Sequence, residues 1–266
     1  MKKPKTVLIT GASSGIGEAL ALDYASTGVQ YLFLCGRNEQ RLASVAQACR
    51  TAGARNVHET VLDVSDATAT QNWIESSHRL APLELVYANA GVSTGLETSE
   101  HARRTFSVNI GGTVNTVLPV LDLWEKEDKK DQTGENGCPL RQIVLTASIA
   151  GYAPLAACPS YSASKSCLKT WGLSLRAQLR ARNIRVNVLC PGFVRSRITD
   201  QNTCPMPFFM EAPAAARLIR KRVEKNTGLI AFPWPLRFSV WALSVLPWFL
   251  TEWISAHLPT KTKRKN

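Results

Sequence analysis

Short apolar runs alternate with stretches whose apolar positions repeat at helical spacing over most of this chain. Runs of strand type stand at Val7–Thr10, Tyr31–Cys35, within Asn56–Leu62 and at Leu83–Ala88. Between them the pattern predicts helices over Ile16–Thr27, through Arg41–Ala48 and from about Thr68 to Leu80. The second half continues with a long helix over Glu100–Trp124, a charged, glycine-containing surface loop over Glu125–Gly137 and a strand at Ile143. A helix through Tyr161, a strand over Ile184–Cys190, a helix through Ala214–Val223 and a short strand at Leu229–Phe232 complete it. Apolar strands joined by helical crossovers predict an α/β fold, a doubly wound parallel sheet covered on both faces.

The rhythm changes after Phe232. Residues 1–232 read as one α/β unit and 233–266 as an apolar and basic extension. Four of the seven tryptophans fall between 234 and 253, and Lys261, Lys263, Arg264 and Lys265 follow. The uncharged run Phe238–Thr251 has 14 residues and contains Pro247. A spanning helix needs about 20 apolar residues, so the extension is expected to meet an anionic membrane peripherally. A contact between subunits and a cover for a pocket are the other readings of the same residues.

Composition narrows the classes. The 266 residues, 45% of them hydrophobic, suffice for a single packed domain. Lys and Arg number 32 against 20 Asp and Glu, a formal charge of +12, which suits cofactor phosphates or acidic lipid. No nucleic-acid motif accompanies that charge, so no nucleic-acid partner is expected. The cysteines at 35, 49, 138, 158, 167, 190 and 204 form no C-x-x-C pair and read as reduced thiols in the cytoplasm. The four histidines are scattered, and no metal site is predicted. The basic start is followed by a short strand, so no secretory leader is expected.

Three patterns carry chemistry. The first strand runs into Gly11-Ala-Ser-Ser-Gly15-Ile-Gly17, where glycines permit positive φ and close backbone approach and the helix beyond offers free N–H groups to a pyrophosphate. The second strand ends in Cys35-Gly36-Arg37-Asn38. A carboxylate there would accept from a ribose 2′-OH; Arg37 instead suits a 2′-phosphate, which favours NADP(H) over NAD(H). The third is Tyr161-Ser-Ala-Ser-Lys165, four residues apart on one helix face, with Ser148 thirteen residues upstream. A lysine cation near a phenol favours the phenolate, and such a tyrosine can exchange a proton with a carbonyl oxygen.

Together these residues resemble the short-chain dehydrogenase/reductase family, in its ordinary-length form. The similarity covers roughly residues 5 to 232. Gly11, Ser13, Ser14, Gly15, Ile16 and Gly17 resemble the cofactor turn, and Asp63 with Val64 the segment beside the adenine. Ala88-Asn89-Ala90-Gly91 resembles the family's N-N-A-G, with alanine first. Pro191, Gly192, Val194 and Ser196 resemble the P-G-x-V-x-T segment at the nicotinamide, with serine for threonine. Asn109, Ser148, Tyr161 and Lys165 match the four catalytic positions. The resemblance implies a Rossmann fold and a carbonyl/alcohol oxidoreductase. Tyr161 would be the proton donor and acceptor, and Ser148 would orient the substrate oxygen. Lys165 would lower the tyrosine pKa and bind the ribose, and Asn109 would hold a relaying water. An apolar segment, Cys204–Met210, follows the nicotinamide motif and suits a small lipophilic substrate. The extension replaces the glycine-rich end through which many relatives form tetramers; a homodimer is expected. A non-catalytic NADP-binding protein or a membrane-associated scaffold on the same fold is the alternative.

Overall fold

The computed structural model describes residues 3–93, 97–130, 140–200 and 206–257. Seven strands form one sheet in the order β3-β2-β1-β4-β5-β6-β7, every neighbouring pair parallel. They are β1 (Thr6–Thr10), β2 (Tyr31–Gly36), β3 (Asn56–Val61), β4 (Leu85–Ala88), β5 (Gln142–Thr146), β6 (Arg185–Pro191) and β7 (Leu229–Phe232). Strand order reverses at β1, which lies between β2 and β4. That leaves a crevice at the carboxyl ends of these strands, where ligands bind in open α/β sheets.

Alternation along β1 explains the two-sided cover. Val7 and Ile9 face one core, with Leu20 and Ala21 of α1 (Gly15–Ala25), Val45 of α2 (Glu39–Thr51) and Ile219 of α8 (Ala212–Glu224). Leu8 faces the other, with Ile74 of α3 (Ala67–Leu80), Trp124 of α5 (Gly112–Lys130) and Leu175 of α6 (Pro159–Gln178). Helix starts follow side-chain caps: Asn38 accepts from Arg41 N at 2.9 Å and Asp66 from Ala69 N at 2.9 Å. Thr98 does the same for His101 N at the start of α4 (Ser99–Phe106).

Two sequence expectations change. The helix expected over Glu100–Trp124 is divided: α4 and α5 are joined by a π-helical turn, Ser107–Gly111, which contains Asn109. The loop expected from Glu125 starts later, because α5 continues to Lys130. Its charges have buried partners: Arg141, 6% exposed, pairs with Asp128 and with Glu127 at 2.9 Å, and Glu127 also reaches His78. The rest of that loop, 131–139, lies outside the described residues.

A one-turn helix, α7 (Arg197–Asp200), follows β6, and beyond β7 come α9 (Trp234–Ser244) and α10 (Trp248–His257). Leu236 and Val240 of α9 pack on Ala147, Ile149, Val188 and Cys190. Ser255 of α10 accepts from Ala156 N at 2.8 Å. Among the described residues no helix is long and apolar enough to cross a membrane. Cys35, Cys49, Cys158 and Cys190 are buried and Cys167 is exposed; Cys138 and Cys204 lie outside the described residues.

Candidate active site

The glycine turn is built by close backbone approach. Gly11 and Gly15 hold φ of +68° and +62°, conformations that favour glycine. A Cβ on Gly17 would stand 2.3 Å from Gly11 O, so a side chain there would lift α1 off the turn. Ser14, at the N-cap of α1, makes no side-chain cap bond, which leaves the first-turn amides of the helix available. Thr10 ties this turn to β4: its Oγ accepts from Asn89 N at 2.9 Å and Ala90 N at 3.0 Å. The Asn89 side chain donates to Thr10 O at 3.0 Å and accepts from Thr146 Oγ at 3.2 Å, so the alanine at 88 leaves the strand ends bridged.

These elements enclose a cleft of about 810 Å³ at the carboxyl edge of the sheet. Ser13, Ser14, Ile16, Val64, Ala90, Gly91 and Val194 line it with the rest of the expected residues, except Gly17, which lies beneath the turn, and Asn109. The glycine cradle, the uncapped helix start and the volume fit a dinucleotide. Gly11, Ser13 to Ile16 and Arg37 are the residues that would hold its phosphates. Arg37 Nη1 lies 3.6 Å from Asp63 Oδ2, both half exposed. Burial works to raise the Asp63 carboxyl, but hydrogen bonds from Ser65 and the charges of Arg37 and Arg104 outweigh it and hold it below its ordinary range.

The catalytic candidates come from the turn after β5, from α6 and from the π-helical turn. Ser148 precedes a 3-10 turn, Ile149–Gly151, and its Oγ accepts from Ala150 N at 3.1 Å. The same hydroxyl donates to Pro191 O at 3.4 Å and acts to lower the pKa of the Tyr161 phenol. Lys165, 3% exposed, donates to Thr146 O at 2.8 Å and stands 5.7 Å from the Tyr161 ring centroid. Asn109 is fully buried and does not reach the cleft surface. Its amide donates to Val92 O and Ser164 Oγ, both at 3.0 Å, and its Oδ1 accepts from Val92 N at 2.8 Å. A Cβ on Gly91 would lie 3.2 Å from Lys165 Nζ and 3.3 Å from Asn109 Oδ1, so both groups back onto that glycine.

Burial opposes the expected lowering of the Tyr161 pKa. Burial pushes the phenol up to about 12, with the Ser148 hydrogen bond acting the other way. Burial likewise pushes Lys165 down to about 8. The ammonium is directed to the Thr146 carbonyl, and desolvation dominates both groups.

Several participants were not legible in the pattern. Thr146 anchors Lys165 through a main-chain oxygen, which no side-chain motif encodes. Gly151 packs on α6: a Cβ there would lie 2.5 Å from the Lys165 carbonyl carbon, so this glycine sets how closely the Ser148 turn approaches the Tyr161 helix. Arg41 and Arg104 join Arg37 along the cleft, and Arg41 follows the β2 motif closely enough to have been flagged.

The sequence model of the short chain dehydrogenase family matches residues 5–205, and the chain belongs to that family. An uncharacterized oxidoreductase of Myxococcus xanthus is 36% identical over 248 residues, 91% of this chain and 93% of its own. A short-chain dehydrogenase from Sphingobium yanoikuyae, solved in complex with NADPH, matches over 99% of both chains with a TM-score of 0.75 and 23% identity. One from Mycobacterium paratuberculosis, bound to NAD, covers 87% of this chain and 97% of its own, with a TM-score of 0.71 and 21% identity. The protein is accordingly an NAD(P)-dependent oxidoreductase of the short-chain type.

Proposed function

We propose that the enzyme is an NADP(H)-dependent reductase/dehydrogenase that interconverts a carbonyl and an alcohol on a small lipophilic substrate. The observation that carries this reading is the convergence of Ser148, Tyr161 and Lys165 on the same cleft as the glycine turn. The nicotinamide cofactor supplies or accepts the hydride when bound. Tyr161, protonated at neutral pH because burial holds its pKa high, donates its proton to the carbonyl oxygen. Ser148 holds that oxygen with its hydroxyl. Lys165 holds the ribose, with Thr146 O fixing the ammonium. Asn109 fixes the floor behind Lys165; its amide hydrogens are both engaged and Oδ1 accepts from Val92 N, so a relaying water would use the one remaining lone pair of Oδ1.

Arg37 reads the 2′-phosphate. Its pairing with Asp63 is long and half exposed, worth about 0–1 kcal/mol, so turning toward a phosphate costs little. The apolar segment after Ser196 supports a lipophilic substrate: Phe208 is exposed, and Met210 bridges to Val194 in the cleft wall. Residues 1–232 form the binding and catalytic unit in this reading and 233–266 a peripheral membrane contact. A homodimer belongs to the same reading, and Leu118 of α5 and Leu173 of α6 are exposed apolar side chains open to such a contact. Buried thiols suit a cytoplasmic setting, with the extension at the inner face of a membrane.

A panel of carbonyls and alcohols followed by NADPH absorbance tests the reaction. Turnover of medium-chain or cyclic ketones or aldehydes with NADPH is expected. NADPH binding with no turnover across the panel would favour the non-catalytic alternative.

A further inference from the structure

The outer surface of the C-terminal helices is unlike the rest of the molecule. In α9, Leu236 and Val240 face inward onto the core. Trp234, Phe238, Trp241 and Val245, spaced four, three and four apart, form a second stripe and are all exposed. In α10, Trp248, Phe249 and Trp253 are exposed as well, Trp248 at 76%. A helix apolar on both faces requires a second apolar covering. At 11 and 10 residues neither helix spans a bilayer.

We propose that α9 and α10 form an interfacial hairpin whose exposed aromatic stripe lies in the headgroup region of an anionic bilayer, beside the segment that joins Ser148 to Tyr161. This deepens, and rests on, the proposed peripheral contact of the extension. Two observations favour lipid over a second copy of the chain. Indole rings pair an apolar body with an N–H donor and suit the headgroup level. Residues 233–266 carry five basic residues and one acidic, on a chain of formal charge +12. Two chains of this net charge repel each other, and acidic lipid attracts each of them. The hairpin is also anchored to catalytic neighbours: α9 packs on Ile149, next to Ser148, and Ser255 holds Ala156 N at 2.8 Å.

Flotation of the full chain with phosphatidylserine-containing vesicles tests this, against pure phosphatidylcholine vesicles and a Phe238→Glu/Trp248→Glu/Trp253→Glu variant. The chain is expected to float with acidic vesicles. Its tryptophan emission should shift blue and be quenched by lipids brominated near the headgroup, a readout on the unaltered chain that needs no variant. The triple variant should lose about tenfold in bound fraction, with turnover of a water-soluble carbonyl unchanged. Wild-type chain left at the bottom overturns both the peripheral contact and the hairpin. Equal flotation of variant and wild type, without quenching, means that the basic residues alone bind lipid; the contact then stands and the hairpin falls. A variant that merely lowers the oligomer mass in light scattering, with no flotation of either chain, makes the face a contact between copies. Flotation by a chain that turns over no carbonyl supports the hairpin and overturns the reductase reading.

Discussion

Asn109 donates a hydrogen bond to Ser164 Oγ at 3.0 Å from inside the π-helical turn. That contact joins the α4–α5 unit to the helix that carries Tyr161 and Lys165. The same amide bonds Val92 O, and Oδ1 accepts from Val92 N. Asn109→Ala takes the partner from the part-buried Val92 N and O and one of two bonds from Ser164 Oγ, which keeps Tyr161 O at 2.8 Å, a loss on the order of 1–3 kcal/mol. Urea unfolding should show a lower midpoint at unchanged slope, with turnover reduced in the surviving folded fraction. Equal midpoints for variant and wild type would mean that the turn does not depend on this side chain.

Gly151 separates geometry from chemistry. Its added Cβ would meet the Lys165 carbonyl carbon at 2.5 Å and its oxygen at 2.6 Å, both backbone atoms that cannot swing aside. Gly151→Ala should push the Ser148 turn away from α6 and lower kcat by roughly 10–100-fold, because small misplacements of reacting groups are costly. NADPH affinity should stay within a few-fold. Unchanged kcat in a folded variant would show that the two elements adjust independently of the site.

Burial of Lys165 has a stability signature. Its folded pKa, pushed down to about 8, lies below its ordinary value of 10.5, so between these the unfolded chain binds more protons. Stability then rises with pH across that window. Lys165→Met should remove this rise, on the order of 3 kcal/mol. Tyr161 acts oppositely: with its folded pKa raised from 10.0 to about 12, its contribution is present at neutral pH and is lost as pH climbs through that interval. Denaturant midpoints from pH 7 to 10, wild type minus variant, check the lysine term. A flat difference would mean that the ammonium is not desolvated.

The cofactor preference rests on Arg37. Arg37→Glu should weaken NADPH by about thirtyfold or more, the loss of a charge-assisted contact plus new repulsion, while NADH changes little. Fluorescence titration with both cofactors measures it. An unchanged ratio of affinities would remove Arg37 as the phosphate reader.

Most of the strand and helix order was legible because most strands are compact apolar runs and most helices show apolar spacing, from Val7–Thr10 through Leu229–Phe232; the largely exposed β3 is the exception among the strands. The glycine turn and the Tyr161/Lys165 pair were legible because side chains, or their absence, carry the chemistry. The π-helical turn at Asn109 was not, since one extra residue per turn leaves the apolar spacing around it nearly intact. Nor was the extension of α5 through Glu127 and Asp128: a dense charge run reads as a solvated loop until Arg141 is brought beneath it by the fold. The Lys165–Thr146 bond and the Gly151 contact use backbone atoms, which a sequence does not distinguish from any others. The high Tyr161 pKa depends on burial in three dimensions, and four-residue spacing alone suggested the opposite direction.

The most direct measurement is pre-steady-state reduction by Tyr161→Phe, with NADPH affinity determined in parallel. The hydroxyl is the proposed proton donor and the ring holds no phosphate. The reduction rate should therefore fall by roughly 10²–10⁴-fold, with NADPH binding within about threefold of wild type. Retention of more than about a few per cent of the wild-type rate would contradict Tyr161 as the proton donor. It would return the site to the question of which group protonates the substrate oxygen.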